Sequence, residues 1–149
     1  MPSSTAGSCL GARWSRRTEH PKVLEPYDIL AIHELLARYG HIIDEREWQR
    51  VEELFSERTR YDMREFNLGE VQGAQAIRAL WSHPNAAHPL AHHATNILVS
   101  EDPDGTVRVV SKGLGVGPNG RVGSVVYRDV VEKTAAGWRF LSRTAHLRR

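Results

Sequence analysis

The second half of the chain contains four apolar segments of strand length separated by three turn signals, and this pattern restricts the fold more than any other feature. The predicted strands are Ala91–Ser100, Val107–Val116, Val122–Glu132 and Trp138–His146. The turn signals between them are Asp102-Pro103-Asp104-Gly105, Gly117-Pro118-Asn119-Gly120 and Ala135-Ala136-Gly137. Because short turns of this composition join antiparallel neighbours, the pattern predicts three successive hairpins in one sheet.

The part of the chain before these hairpins is predicted to be mainly helical. Apolar residues recur at three- and four-residue steps from Ile29 to Ile43, as they do on the buried face of a helix. The further predicted elements are a helix from a capping box at Asp44-Glu45-Arg46-Glu47 through Phe55, a strand over Thr59–Phe66, a short strand between Gly69 and Gly73, and a helix over Gln75–Ser82. Helices followed by hairpins predict an α+β fold, with glycine bulges at Gly113, Gly115 and Gly117 that curve the sheet.

Length and charge restrict the classes of partner. The chain has 149 residues, enough for one domain, and residues 1–24 have the composition of a flexible tail before a domain over 25–149. The net charge of +2 comes from residues 1–26, and the acidic and basic residues of 27–149 balance. We therefore expect no nucleic-acid partner. No apolar run reaches the ~18 residues of a membrane helix, and the single cysteine forms no internal disulfide, so we expect a cytoplasmic protein.

Asp44 and His92 are the candidate catalytic residues. Asp44 lies at the junction of the two predicted helices, where a structural role as a helix cap is the alternative. His92, Ala94 and Asn96 alternate along one strand face, and His93 lies on the opposite face as a register-shifted alternative. An inward histidine is often only a core residue. It becomes a proton-transfer group if a carboxylate fixes its tautomer.

Three further side chains are candidate substrate-binding residues. Tyr39 and Tyr61 could present hydroxyls to a pocket, and Arg143 could bind an anionic group. The structural alternatives are core or rim positions for the tyrosines and an exposed strand position for the arginine. His83, His88, His92 and His93 match no compact metal-ligand spacing, so no metal site is predicted.

The order of these features resembles the SnoaL-like branch of the nuclear transport factor 2-like superfamily. The features are the helix ending in Ile43-Asp44, the strand with Tyr61, the pattern His92-x-x-x-Asn96 and the closing Gly137-Trp138-Arg139-Phe140-x-x-Arg143. That branch includes scytalone dehydratase and hexachlorocyclohexane dehydrochlorinase. Two departures are a tyrosine, Tyr39, where the dehydrochlorinase has a lysine, and the lack of a second strand histidine within 109–116.

The resemblance implies a cone-shaped α+β barrel, in which a strongly curved, mostly antiparallel sheet wraps around three N-terminal helices and a central pocket. It also implies an Asp44–His92 dyad in that pocket, with substrate contacts from Tyr39, Tyr61, His93, Asn96 and Arg143. The expected activity is cofactor-independent dehydratase-like elimination, or cyclisation or isomerisation, on a hydrophobic small molecule, and the expected assembly is a homodimer. The alternative is a non-catalytic binding or assembly module with the same fold.

Overall fold

A computed structural model describes residues 24–148, and the predicted tail lies outside the described residues apart from Leu24. Two α-helices and six strands make up the domain together with two 3₁₀ helices. The elements, in chain order, are α1 Pro26–Asp44, a 3₁₀ helix Trp48–Glu53, β1 Phe55–Asp62, a 3₁₀ turn Arg64–Phe66, β2 Glu70–Gln72, α2 Ala74–Trp81, β3 Ala91–Glu101, β4 Val107–Val116, β5 Val122–Thr134 and β6 Gly137–Leu147.

The six strands form one curved, unclosed sheet in the order β2-β1-β6-β5-β4-β3. The three predicted hairpins are present as the antiparallel pairs β3–β4, β4–β5 and β5–β6. Strand β1 pairs parallel with β6, so the first strand of the chain joins the last. The chain is therefore of the predicted α+β class, and the helices lie before the long hairpins in sequence.

Helix α1 covers the inner face of the sheet. Proline at its first turn suits a helix start because that position needs no amide hydrogen bond, and Asp28 nearby complements the helix dipole. The helix packs against β3 and β6. Its buried side chains form the centre of the hydrophobic core and comprise Ile32, Leu35, Leu36, Tyr39, Ile42 and Ile43. At roughly 1.5–3 kcal/mol for each fully buried aliphatic side chain, this face contributes most of the stabilisation of the helix.

The bounds predicted for the first strand and the second helix, and the Asp44 cap, were wrong. The second helix is a six-residue 3₁₀ helix whose N-cap is Glu47, so Asp44 does not cap it. Strand β1 begins at Phe55 and ends at Asp62, where the Asp62 carboxylate accepts a hydrogen bond from the Arg64 amide and turns the chain into the next 3₁₀ turn. Phe55 had the spacing of a helix residue, but its backbone pairs with β6.

The predicted glycine bulges are also not where the sheet becomes irregular. Strand β4 pairs with β5 without interruption from Val107 to Val116. The register shifts instead between Thr95 and Leu98 in β3, where Asn96 has a φ of 51°, and at the β5–β6 pair beside Val131. Gly113 has another function: a Cβ there would lie 2.4 Å from a ring carbon of Tyr127, so the glycine makes room for that ring.

Among residues 24–148, no helix is both long enough and apolar enough to cross a membrane.

Candidate active site

The main cavity has a volume of about 740 Å³ and lies between α1, α2 and the inner face of the sheet. Its wall is mostly apolar and aromatic, and the loop 83–89 and the turn between β4 and β5 complete it. A volume of this size suits a drug-sized ligand, and an apolar wall with a few polar groups is typical of small-molecule sites. The polar groups of the wall therefore determine what chemistry the cavity can support.

Asp44 and His92 meet at this cavity. Asp44 Oδ1 lies 2.6 Å from His92 Nδ1, and Asp44 Oδ2 accepts a hydrogen bond of 2.9 Å from the His92 backbone amide. A carboxylate can only accept, so the proton between them sits on Nδ1, and in the neutral ring the lone pair is on the other nitrogen, Nε2. The side chains are 19% and 15% exposed respectively, and the His92 ring lines the cavity. The pair has the geometry of an oriented general base.

Two residues of helix α1, one turn apart, contact His92 of β3. Gly40 lies so close that a Cβ on it would be 2.7 Å from the His92 carbonyl oxygen. Asp44, four residues later on the same helix face, binds both the amide and the ring of His92. The close approach at Gly40 therefore sets the separation across which Asp44 reaches the imidazole.

Tyr39 and Tyr61 lie together at the buried end of the cavity. Their hydroxyl oxygens are 2.7 Å apart, and both side chains line the cavity while being almost fully buried. Burial raises the pKa of each hydroxyl well above the ordinary value for tyrosine, so both groups keep their protons. The Tyr127 hydroxyl also hydrogen-bonds Tyr39, and burial raises its pKa too. Three protonated hydroxyls therefore share two hydrogen bonds, which leaves one proton free for a ligand oxygen.

Arg143 is fully buried instead of lying on the exposed strand face that was its structural alternative. A bulge opposite Val130 and Val131 reverses the inward and outward alternation of β6 after Phe140, and this turns Arg143 inward. Its Nε and Nη2 each donate a 2.9 Å hydrogen bond to Asp129, and its guanidinium carbon lies 4.1–4.2 Å from three aromatic ring centres, those of Tyr39, Tyr127 and Phe140. Arg143 does not line the cavity, so the structure does not support a direct contact with substrate.

The Asp129–Arg143 pair is isolated from water. Burial lowers the pKa of the guanidinium, but the ion pair with Asp129 outweighs that effect and the net pKa is raised. Burial raises the pKa of the Asp129 carboxyl, and the adjacent Arg143 opposes part of the rise. Asp129 holds the Arg143 guanidinium over the face of the Tyr39 ring, and this cation–π contact fixes the ring.

His93 and Asn96 are not brought to the cavity, contrary to their predicted substrate-binding role. Both are exposed on the outer face of β3. His93 points away from His92 by ordinary strand alternation, and the bulge at Asn96 turns that residue outward although it lies four positions after His92. Among residues 24–148, no three histidine, cysteine or acidic side chains converge as metal ligands.

Three residues were missed or given no role by the sequence analysis. Tyr127 and Asp129 follow the inward alternation of β5, and a carboxylate within that apolar series was the available signal. His88 lines the cavity, and its Nε2 lies 2.8 Å from the Trp81 carbonyl oxygen. Because the carbonyl only accepts, Nε2 carries the proton and Nδ1 of the neutral ring is a free acceptor.

Comparison with known proteins agrees with this architecture. The structure is similar to an NTF2-like protein with a cystatin-like fold from Novosphingobium aromaticivorans, at 27% identity and a TM-score of 0.62 over 81% of this chain and 82% of that one. It is also similar to a protein from the same organism assigned as a scytalone dehydratase, at 18% identity and a TM-score of 0.65 over 83% and 85%.

A hexachlorocyclohexane dehydrochlorinase of type 2 has 18% identity and a TM-score of 0.66, with 84% of this chain and 90% of that chain covered. At 18% identity, the structures named as a scytalone dehydratase and a dehydrochlorinase show only that the fold is shared. No curated protein matches the sequence significantly. The family model of the SnoaL-like domain matches residues 26–144, which is most of the chain. The chain therefore belongs to the SnoaL-like domain family, whose fold has the architecture of the nuclear transport factor 2-like proteins.

Proposed function

We propose that the protein is a cofactor-independent lyase, in which His92, oriented by Asp44, removes a proton from a carbon of a hydrophobic small molecule. The observation that carries the proposal is the 2.6 Å contact between Asp44 and a His92 ring that lines the cavity. His92 Nε2 would take the proton, and the electron pair of the C–H bond would form a double bond to the neighbouring carbon. The bond from that carbon to the leaving group would break, and the leaving group would depart with that bonding pair. Ring closure or a double-bond shift would begin with the same proton removal.

The surroundings of the pair favour this chemistry. The two hydrogen bonds from His92 to Asp44 fix both the tautomer and the orientation of the imidazole before a ligand enters. The one free hydroxyl proton of the tyrosine cluster can be donated to a substrate carbonyl, which would stabilise the charge that develops when the C–H proton leaves. The apolar wall excludes water from the reacting atoms.

The proposal is tested by elimination assays with wild-type protein and a His92→Gln variant. Scytalone, which can lose water, and hexachlorocyclohexane, which can lose hydrogen chloride, are suitable first probes because structural neighbours are named for them. They are supplemented by a panel of hydrophobic β-hydroxy ketones in deuterated water, with products and deuterium uptake followed by mass spectrometry. Loss of the base should lower the rate with any active compound by about 10²- to 10⁴-fold.

His93→Gln is the matched control, since it changes the neighbouring residue on the exposed face of the same strand. Its rate should equal that of the wild type, and both variants should melt near the wild-type temperature. Full activity of a well-folded His92→Gln protein would contradict the proposal. Tight binding of panel members without turnover or deuterium uptake would favour the alternative, a non-catalytic small-molecule-binding module.

A further inference from the structure

Arg121 is the one residue with a permanent charge among the described residues that line the cavity. The same wall contains no aspartate, glutamate or lysine. Each of the two other basic groups near the mouth has one ring nitrogen engaged within the protein. His83 Nδ1 accepts a 3.2 Å hydrogen bond from the Asn85 amide, and His88 donates to Trp81. The cavity is thus apolar with a single fixed cation at its edge.

The position of Arg121 is set by its backbone, and its side chain is uncommitted. Its carbonyl oxygen accepts a 2.8 Å hydrogen bond from the Gly117 amide, which closes the turn between β4 and β5. The side chain is exposed, and no hydrogen bond or ion pair joins its guanidinium to a described residue. Several other exposed arginines are held by carboxylates, as Arg60 is by Glu70 and Arg108 is by Asp102.

From this arrangement we infer that the substrate class is an amphipathic anion, an apolar ring system with one carboxylate or similar anionic group, whose charged end is bound by Arg121. A guanidinium binds a carboxylate through two parallel hydrogen bonds, and no anion in the wall competes with or repels the ligand. The anionic end stays at the hydrated mouth, which avoids the large cost of burying a charge in an apolar cavity. The inference rests on the proposed function, because it takes this cavity to be the substrate site.

Binding of the anionic group by Arg121 determines how the ligand is oriented in the cavity. With the anion at Arg121, the apolar body enters the cavity towards the Tyr39–Tyr61 hydroxyl pair, and His92 lies along the wall that it passes. Arg121 touches the ligand but no reacting atom, so it acts on affinity and orientation. Replacing it should therefore alter ligand binding and leave the Asp44–His92 contact unchanged.

The test compares 2-naphthoate with its neutral counterpart 2-naphthamide by titration calorimetry. At low salt the wild type should bind the naphthoate about 5- to 30-fold more tightly, a preference that 0.5 M salt reduces because the contact lies at the surface. Arg121→Gln should bring the two affinities to within about twofold. Arg128→Gln is the control: Arg128 is an exposed arginine in β5 that lies outside the cavity wall, so its replacement should leave the preference intact.

Equal affinity for the two probes in the wild type, or a preference that survives in Arg121→Gln, overturns the inference, and so does binding of neither probe. These results are separable from a failure of the proposed function. Equal affinities together with His92-dependent turnover would remove only the role of Arg121. A charge preference lost in Arg121→Gln, without turnover of any compound, would remove the lyase proposal and leave the ligand class standing.

Discussion

Two pairs of a carboxylate with a basic side chain lie on the inner side of the same sheet, and they differ in exposure, in geometry and in the acid–base chemistry of the basic group. Asp44 and His92 are 2.6 Å apart with side chains 19% and 15% exposed, at the wall of the cavity. Asp129 and Arg143 are joined by two bonds of 2.9 Å with no exposure at all, beneath three aromatic rings. Each pair links elements that are distant in the sequence.

This difference distinguishes a pair suited to proton transfer from a pair that supports the structure. Imidazole can gain and lose a proton near neutral pH, and a partly exposed ring on a cavity can exchange that proton with a ligand. Guanidinium keeps its proton under all ordinary conditions, and a pair without exposure has nothing to exchange it with. The Asp44–His92 pair is suited to proton transfer, while the Asp129–Arg143 pair holds Tyr39 and the β5–β6 register in place.

The largest expected effect comes from breaking the buried pair. Arg143→Met leaves the Asp129 carboxylate without its partner in the core and should lower the free energy of unfolding by about 3–5 kcal/mol. Urea denaturation followed by tryptophan fluorescence measures the change. Asp129→Leu combined with Arg143→Met should recover part of the loss, because the uncompensated charge is gone.

Arg128→Met is the control for that experiment, since Arg128 precedes Asp129 in β5 and its side chain is exposed. Its free energy of unfolding should stay within about 0.5 kcal/mol of the wild type. A loss below 1 kcal/mol for Arg143→Met would mean that the buried pair contributes little to stability, and the contrast between the two pairs would then rest on exposure alone.

The next effect concerns the approach of α1 to the Asp44–His92 pair. In Gly40→Ala the new Cβ would lie 2.7 Å from the His92 carbonyl oxygen, so the helix must move away from β3. Overpacking of this kind costs about 1–3 kcal/mol, which exceeds the gain of up to about 1 kcal/mol in helix propensity. Urea denaturation and the elimination assay should both detect the change.

His41→Ala is the matched control, because His41 is the adjacent helix residue and is exposed. It should change the free energy of unfolding by no more than about 0.5 kcal/mol. If Gly40→Ala were as stable and as active as His41→Ala, the close contact at Gly40 would not be what positions Asp44.

The positions of the two pairs also explain how far the sequence could predict this molecule. Helix α1 and the three hairpins follow from local periodicity and turn residues, and both were predicted. Asp44 and His92 were predicted as partners through resemblance, and strand alternation put His92 and His93 on opposite faces without deciding which of them faces inward. The contact itself depends on the close packing of α1 on β3. Gly40 permits this packing, but a glycine within a helix does not by itself predict it.

Bulges determine the orientation of two candidate site residues, Asn96 and Arg143. One residue of shift in a strand reverses the face of every later side chain. The shift in β3 turns Asn96 outward, and the shift in β6 after Phe140 turns Arg143 inward. Neither bulge is marked by glycine, since the strand glycines of β4 serve the packing of Tyr127 instead. Bulge positions depend on pairing between strands and could not be inferred from one strand alone.

Asp44→Asn is expected to have a smaller effect on the free energy of unfolding than Gly40→Ala and a larger effect on the chemistry of His92. The amide oxygen still accepts one of the two N–H groups of His92, so the free energy of unfolding should fall by only about 1 kcal/mol. The amide nitrogen cannot accept the Nδ1 proton, so the ring loses its fixed tautomer. The ¹⁵N chemical shifts of the His92 ring should show the proton on Nδ1 in the wild type and a mixture in the variant. A wild-type ring protonated on Nε2 alone would contradict the assigned base.

The smallest effect is expected at a third, surface pair, which completes the series from buried to exposed. Asp28 Oδ1 accepts hydrogen bonds from Lys133 Nζ at 2.7 Å and from Trp138 Nε1 at 3.0 Å, and these, Lys133 first, lower the pKa of the carboxyl. A carboxyl whose pKa is lower in the folded state stabilises the fold above its unfolded value of about 4, and the stabilisation is lost as the pH falls through the folded value.

Asp28→Asn removes this pH dependence while it keeps an oxygen for Trp138. The urea midpoint of the variant should therefore lie slightly below that of the wild type at pH 7, and the difference should shrink steadily below pH 4 as the wild-type carboxyl takes up its proton. A difference that stays constant from pH 7 to pH 3 would show that the hydrogen bonds alone, and not the charge, stabilise this contact. The stability attributable to charge would then be confined to pairs shielded from water, which strengthens the contrast between the Asp129–Arg143 pair and the rest of the molecule.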